Sequence, residues 1–237
     1  MPAPKPGAPA QAAGIGTERE SSLHRSLKLR YAGPEGQTEK PLGGYVCDAL
    51  RGCGEIIEVQ TGSFAPLTHK IPGLLLYGPV RIIHPVIVRK TIDLREKDGA
   101  PVSLRKSPRK GSEWDLFKAL LYAPLLPLTQ GLTIELVMVE VLEKRVRDGR
   151  GSWRRKGASI ADRELSACIR AMPLSGKGDY RAFVPFPAGE EFTARNLAEK
   201  ARIRPALAGK ALYVLTKIGV VERVRKAGNA WVYRMEA

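Results

Sequence analysis

Two acids and an amide lie in a short glycine-rich stretch where an apolar core would otherwise be expected. Residues 44–62 read GYVCDAL, RGCG and EIIEVQTG, which predicts two short strands joined by a tight hairpin turn. Side chains alternate along a strand, so Val46 shares a face with Asp48, and Glu58 shares a face with Gln60. The two carboxylates could therefore converge. Burying them among apolar neighbours is costly unless a cation neutralises them, which indicates a divalent metal site.

Helix and strand patterns on either side of the hairpin supply the frame that would hold these acids. Residues 17–32 carry apolar side chains at helical spacing, with Thr17 as the expected cap and Glu20 in the first turn. Proline and glycine residues from 34 to 41 predict a loop. The later segments SFAPLTHKIPGLLLYG and VRIIHPVIVRKTIDL predict a helix and then a strand broken at Pro85. This order indicates an α/β fold with a small mixed sheet.

The same order of elements resembles the PD-(D/E)XK, or restriction-endonuclease-like, nuclease superfamily. The resemblance covers about residues 18–94 and depends on Asp48 in one strand and on Glu58 and Gln60 in the next. It implies a restriction-endonuclease-like mixed sheet flanked by helices, with one or two Mg²⁺ (or Mn²⁺) ions held against a scissile phosphate. The implied metal ligands are Glu20, Asp48 and Glu58.

The chain departs from the superfamily pattern at two positions. Cys47 replaces the proline before the acid, and Gln60 replaces the lysine of the second strand. An amide orients a water but neither takes its proton nor supplies positive charge. Lys70, one helix onward, would supply the missing cation if that helix points it back at the hairpin. The predicted catalytic residues are Asp48, Glu58, Gln60 and Lys70.

Phosphodiester hydrolysis is the chemistry that this set would perform. Mg²⁺ prefers oxygen ligands and often takes one or two carboxylates together with waters and a substrate phosphate. It polarises a phosphoryl oxygen and lowers the pKa of a bound water. The open alternative is a strand edge whose acids face solvent without function. No competing chemistry is indicated, because His24, His69 and His84 show no metal spacing, and neither a serine elbow nor a GxxxxGK loop occurs.

The chain is strongly basic, with 39 Lys and Arg against 24 Asp and Glu in 237 residues, a formal net charge of +15. This excess favours a nucleic-acid partner, with DNA expected before RNA, although a merely solvated basic surface is the alternative. No apolar run reaches the roughly 18 to 20 residues of a membrane span, so no membrane partner is expected. Three cysteines without zinc spacing fit a reducing cytoplasm. Residues 1–16 predict a disordered leader.

Two basic segments are candidates for phosphate contact. Residues 96–111 predict a turn and a basic loop, and residues 144–163 surround Trp153 with cations. Trp153 either stacks on a base or anchors the basic segment to its own domain, and the sequence leaves both open. A helix from Ser112, a long strand over GLTIELVMVEVLEKRV and a helix over 159–171 are predicted around these segments. The candidate contacts are Arg105, Lys106, Arg109, Lys110, Arg154, Arg155 and Lys156.

The end of the chain has a different character. Thr193 is expected to cap one helix, Pro205 to begin a second and Gly219 to end it, before two strands joined at residues 227–229. Helix, turn, helix and hairpin resemble a winged helix, a module that binds DNA and also mediates purely protein contacts. The residues that suit a groove and an adjacent phosphate are Arg202, Arg204, Lys210, Lys217, Arg225 and Lys226. The predicted organisation is a leader at 1–16, a nuclease-like domain at 17–172, a linker at 173–191 and a winged helix at 192–237.

Three classes of function follow. The leading hypothesis is a Mg²⁺-dependent endonuclease whose winged helix presents DNA to the hairpin. The first alternative is a non-catalytic DNA-binding or regulatory protein on a degenerate nuclease-like fold. The second is a protein-interaction subunit, which predicts weak DNA binding with little salt dependence. A homodimer is compatible with each of them.

Overall fold

The computed structural model describes residues 20–236, so the predicted leader at 1–16 and the expected Thr17 cap lie outside the described residues. The architecture is α/β, with a mixed sheet flanked by helices, as the sequence predicts. Within the described range, no helix combines the length and the apolar composition needed to cross a bilayer.

The first helix, α1, spans Ser22–Ala32 and begins later than its sequence pattern suggests. Its N-cap is Ser21, whose hydroxyl accepts a hydrogen bond from the His24 backbone N–H at 3.3 Å. Glu20 therefore precedes the helix, and the prediction that it lies in the first turn is wrong. Leu23 is buried on the face of α1 that packs on the sheet.

The main sheet contains seven strands in the order β1-β2-β3-β4-β6-β7, with β5 paired to the far end of β4. The first three strands form an antiparallel meander, whereas β4 runs parallel to both β3 and β6, and β7 is antiparallel to β6. The strands are β1 (Gln37–Leu42), β2 (Tyr45–Leu50), β3 (Ile56–Val59), β4 (Val80–Arg95), β5 (Pro101–Lys106), β6 (Leu132–Val146) and β7 (Ser159–Leu174).

Helices cover both faces of the sheet around β3. The crossover between β3 and β4 contains α2 (Leu67–Leu74), as predicted, and Pro72 lies inside this helix. Ile56 packs in the hydrophobic cluster that contains α2, and Ile57 packs in the cluster that contains α1. Because adjacent strand residues point to opposite faces, the two helices lie on opposite sides of the hairpin.

Two proline-containing segments differ from expectation. The stretch predicted as a loop at 34–41 contributes β1, an edge strand in which the missing proline N–H is tolerated. Strand β4 runs through Pro85 without the predicted break. The pairing of β3 ends at Ile83 and that of β5 begins at Thr91, so Pro85 lies on a stretch of this edge where no strand needs its N–H.

Two other segments are strands where the sequence predicts something else. The basic loop predicted at 96–111 forms β5 over its central part, so Arg105 and Lys106 project from a strand. The helix predicted at 159–171 is wrong, because these residues belong to β7. Pairing along the whole free edge of β6 outweighs the helix propensity of this segment.

The predicted helix after Ser112 is confirmed, although it is broken into short turns around α3 (Leu116–Ala119). In the C-terminal part, Thr193 caps the first long helix, Pro205 begins the second and Gly219 follows its end with φ +69°. A second sheet has the strand order β8-β10-β9. The C-terminal elements are α4 (Lys177–Tyr180), β8 (Glu191–Thr193), α5 (Ala194–Lys200), α6 (Pro205–Lys217), β9 (Val221–Ala227) and β10 (Ala230–Met235).

One hydrophobic cluster joins the main sheet to the C-terminal helices. Phe183 is buried and meets Phe117 edge to face, with ring centroids 5.0 Å apart. Tyr180 is also buried, so the segment predicted as a linker at 173–191 is packed into the protein. Leu212 of α6 belongs to the same cluster. The basic residues of the C-terminal part therefore have a defined place relative to the hairpin.

Candidate active site and basic groove

Asp48 and Glu58 lie opposite each other across β2 and β3. The pairing of Ala49 with Ile57 fixes this register. Asp48 Oδ2 accepts a hydrogen bond from the Val59 backbone N–H at 2.7 Å. The Asp48 charge acts on Glu58 strongly enough to be one of the causes that raise the pKa of Glu58. The two acids of the hairpin thus form one electrostatic unit.

Lys70 is brought to this unit by α2. Leu67 and Ile71 are buried and fix the helix against the sheet, so that Lys70 points back at β3. Its Nζ lies 2.6 Å from Glu58 Oε2. The structure therefore meets the condition under which Lys70 supplies the cation that Gln60 cannot.

Glu58 is buried, with 3% of its surface exposed, and its Oε1 atom has no hydrogen-bond partner within the described chain. Burial raises the pKa of this carboxyl, the Lys70 charge opposes the rise, and the Asp48 charge adds to it, giving a value of about 7. A buried oxygen without a partner beside a second acid is an environment that a cation would stabilise.

His24 is the residue of this site that sequence reasoning missed. Its Nδ1 contacts Glu20, its Nε2 lies 2.9 Å from the Val59 carbonyl oxygen, and Nε2 is 3.4 Å from Asp48 Oδ2. Burial lowers the pKa of the imidazole, but Asp48 and then Glu20 outweigh it and raise the pKa to about 9. Its position four residues after Glu20 was the available signal, because that spacing brings two side chains together on the predicted helix; in the structure Glu20 lies just before α1 and still contacts His24.

Glu20 is held away from the hairpin by its own partners. Besides His24, it contacts Lys28 Nζ at 2.8 Å. His24 lies between the two acids and contacts both Glu20 and Asp48. Across residues 20–236, no group of three or more His, Cys, Asp or Glu side chains is arranged to hold a metal ion. The structure therefore does not assemble the predicted ligand set of Glu20, Asp48 and Glu58 around one point.

Gln60 is directed away from both acids. Its side-chain Nε2 donates to the Ser63 carbonyl oxygen at 2.5 Å. The backbone carbonyl oxygen of Gln60 lies 2.6 Å from His84 Nδ1. These bonds shape the loop that follows β3. Within residues 20–236, Gln60 therefore makes no hydrogen bond with Asp48 or Glu58 that would support its predicted catalytic role.

A cavity of about 430 Å³ opens where β3 ends, and we call it the site cavity. Its wall includes Thr61 and Ser63, directly after Gln60, as well as the cations Lys90 and Arg163. Glu143 joins these two cations, with Oε2 3.1 Å from Lys90 Nζ and 2.9 Å from Arg163 Nε.

Glu143 is fully buried and has a third cation, Arg145, at 2.5 Å. Burial alone would raise the pKa of Glu143, but Arg163, Arg145 and Lys90 lower it to about 2. Three positive charges around one carboxylate leave this part of the site cavity net positive. Sequence reasoning could not find this cluster, because its members come from β4, β6 and β7.

A second cavity of about 830 Å³ adjoins the first and shares Arg109, Asp115 and Lys118 with it. We call this cavity the basic groove. Asp115 is paired with Lys118. Within residues 20–236, the other cations of the wall form no ion pair. They are Arg109, Lys110, Arg154, Arg202, Arg204 and Lys210.

The structure thus brings together six of the residues predicted for nucleic-acid contact, which come from three separate segments. The others lie elsewhere: Arg105 and Lys106 on β5, exposed Lys156 outside the groove wall, Arg155 bonded to the Ala158 carbonyl, and Lys217 over the Tyr213 ring. Arg225 is 2.7 Å from Glu191, and Lys226 lies over the Trp231 ring at 5.1 Å. The wing residues are therefore engaged within the C-terminal part.

Comparison with known proteins places the chain in a group without an assigned activity. The family described as "Domain of unknown function (DUF8091)" matches residues 21–175. An uncharacterised protein of Treponema pallidum (strain Nichols) is 30% identical over 222 residues, which cover 94% of this chain and 88% of that protein. No solved structure gives a significant match.

Proposed function

Because the chain belongs to the DUF8091 family of domains of unknown function, its activity has to be inferred from the site, and we propose that it is a metal-dependent nuclease. The substrate is a phosphodiester bond, and DNA is the substrate we expect. The observation that carries this proposal is the meeting of Lys70 Nζ with Glu58 Oε2 at 2.6 Å beside Asp48. Two acids that interact through their charges, one of them paired with a lysine, are a set that supports metal-assisted phosphodiester hydrolysis.

The topology supports the proposal. Helix α1, the meander β1-β2-β3, the crossover helix α2 and the parallel strand β4 follow one another in the order that resembles the PD-(D/E)XK superfamily. The acids lie on β2 and β3, as that resemblance implies. In the C-terminal part, two helices followed by a strand hairpin favour a winged helix.

The donors fit a hard divalent cation in part. Asp48 and Glu58 would hold Mg²⁺ or Mn²⁺, and the unpartnered Glu58 Oε1 is the atom that such an ion would satisfy. When bound, the ion would polarise the phosphoryl oxygen of the substrate and acidify a water. Glu20 is excluded from this set by its contacts with His24 and Lys28.

The protein residues have separate roles in this proposal. Lys70 provides positive charge next to Glu58 and keeps the pKa of that carboxyl from rising further. His24 and the Val59 backbone N–H both contact Asp48 Oδ2 and hold this carboxylate in place. Lys90 and Arg163 give the site cavity the positive charge that a phosphate needs.

Incubation of supercoiled plasmid and single-stranded DNA with the full chain tests the proposal. Cleavage is expected with Mg²⁺ or Mn²⁺ and not with EDTA, and Glu58→Ala should abolish it. The matched control is Glu55→Ala, because Glu55 lies near the same hairpin but pairs with Arg51 and Arg81. Absence of cleavage by the wild-type protein under all these conditions would refute the proposal.

One observation favours a second candidate, a non-catalytic nucleic-acid-binding protein. Asp48 Oδ2 already has two partners, His24 Nε2 and the Val59 N–H, and a metal ligand would have to share them. This candidate predicts tight binding to DNA without cleavage. The same incubation, combined with a binding measurement, separates the two.

A further inference from the structure

The basic groove is lined by residues of the sheet domain and by residues at the start of α6. One wall contains Pro108 to Lys110 and Arg154, and the other contains residues 202–210, around the start of α6. In a winged helix that reads duplex DNA, the second helix enters the major groove and has its outer face free. Here the first turns of α6 face residues of the sheet domain across the groove. Residues of the sheet domain therefore lie beside the part of α6 that would enter a major groove.

The charges of the groove favour a polyanion. Within residues 20–236, six of its seven cations form no ion pair, namely Arg109, Lys110, Arg154, Arg202, Arg204 and Lys210. Among the same described residues, the only acid in the wall is Asp115, which is paired with the seventh cation, Lys118. Unpaired cations along one groove attract the phosphates of a backbone. The N-terminal end of α6, which is 13 residues long, adds the positive end of its helix dipole to this field.

Trp153 adjoins a residue of the groove wall. Its ring contacts Arg154, whose Cζ is 5.4 Å from the ring centroid, and Arg154 belongs to the groove wall. The Trp153 side chain is 82% exposed, so it does not anchor its loop to the protein. An exposed aromatic ring beside a cationic groove is the arrangement on which unpaired bases stack.

The groove also adjoins the site cavity. It shares Arg109 with that cavity, whose wall includes Thr61 and Ser63 at the end of β3. A strand in the groove would therefore continue into the site cavity, which opens directly after the strand that carries Glu58.

We propose that the basic groove binds a single, unpaired strand of nucleic acid, with one base stacked on Trp153. This inference deepens the proposed function and rests on it, since it names the form of substrate that reaches Glu58. Base pairing would hide the base faces that Trp153 needs, so a duplex has no equivalent contact.

Fluorescence anisotropy with the full chain tests the inference in EDTA, so that failure to bind is distinguished from failure to cleave. The probes are a labelled oligothymidylate of about 20 nucleotides, long enough for a site of roughly 4 to 16, and a duplex of equal length. The wild-type protein should bind the single strand more tightly. Trp153→Ala should weaken single-strand binding about tenfold, because the variant loses the stacking of one base on the aromatic ring.

The matched control is Trp231→Ala. Trp231 is 39% exposed and lies under Arg223 and Lys226, but outside the groove. This variant should retain wild-type affinity for the single strand. Duplex affinity equal to or above that of the single strand would overturn the inference, as would equal losses in the two tryptophan variants or no loss in Trp153→Ala. Because Trp153 is exposed, its replacement leaves the core intact.

Discussion

At the scale of single residues, His24 and Lys70 control the charge of the hairpin acids. His24 lies against Asp48, and Lys70 lies against Glu58. The pKa of His24 is raised to about 9 and that of Glu58 to about 7, for opposite reasons. Carboxylates stabilise the charged imidazole, whereas burial destabilises the charged Glu58. The site therefore contains two groups whose protonation differs from that of the unfolded chain near neutral pH.

His24 should make the stability of the metal-free protein depend on pH. Its folded pKa is about 9, against an ordinary value of 6.5. The stabilisation is therefore complete below pH 6.5 and is lost as pH rises to about 9. We expect urea unfolding in EDTA to show a decrease of about 1–3 kcal/mol between pH 7 and pH 9. His24→Gln should remove most of this decrease, and an unchanged decrease in that variant would contradict the assignment.

Replacing Lys70 with Met should slow cleavage without weakening binding. The substitution keeps the length of the side chain but removes the charge beside Glu58. A loss of about 100-fold in the cleavage rate is expected for removal of one preorganised electrostatic group. The pKa of Glu58 should also rise, because Lys70 lowers it, so the acidic limb of the pH–rate profile should move to higher pH. Lys177→Met, which affects an ion pair with Glu236, is the control and should leave both quantities unchanged.

At the scale of elements, local patterns predicted the parts that carry their own signals. The hairpin of β2 and β3, the Thr193 cap of α5 and the start of α6 at Pro205 agree with the structure because turn glycines, capping residues and helix-starting prolines act locally. The helix predicted at 159–171 is wrong because this segment forms a strand by pairing with β6, a long-range interaction that no local pattern contains. Pro85 was mistaken for a break because its tolerance depends on where β3 and β5 end.

The two acids of the candidate site could be predicted from a local pattern, whereas their partners His24 and Lys70 could not. Asp48 and Glu58 follow from strand alternation within one hairpin. His24 and Lys70 come from helices on opposite faces of the sheet, and only the packing of α1 and α2 brings them in. Glu143 collects cations from three strands, so no spacing in the sequence points to it.

Glu143→Gln should destabilise the central strands. It would leave Lys90, Arg145 and Arg163 without their common buried partner. Breaking such a cluster from one side costs about 3 kcal/mol or more in the free energy of unfolding. Chemical denaturation measures this loss. Glu140→Gln is the control on the same strand, because its partner Arg89 is largely exposed, and it should cost about 1 kcal/mol or less. Equal effects of the two substitutions would contradict the role of Glu143.

Acid should destabilise the wild-type protein, because it protonates Glu143. The pKa of Glu143 is lowered from 4.5 to about 2, so its stabilisation is present above pH 4.5 and is lost as pH falls toward 2. Glu143→Gln should lack this contribution to acid unfolding. A variant with the full wild-type acid dependence would show that other carboxylates are responsible.

At the scale of the whole molecule, the shared core explains why distant basic segments meet. Phe117 and Phe183 pack together, and Leu212 of α6 belongs to the same cluster. This packing brings the start of α6 close to the loop at 108–112, and the basic groove lies between them. The net charge of +15 predicted a polyanionic partner, but only the folded chain identifies which cations line one surface.

The proposed hydrolytic role of Asp48, Glu58 and Lys70 is separated from simple binding by a single-turnover assay. Labelled single-stranded DNA is mixed with excess protein and Mn²⁺, and the cleavage rate and the binding affinity are measured on the same samples. We expect Glu58→Ala to lower the cleavage rate by about 1,000-fold or more while affinity stays within about threefold of wild type. Cleavage by Glu58→Ala at the wild-type rate, or wild-type protein that binds the strand and leaves it intact, would contradict it.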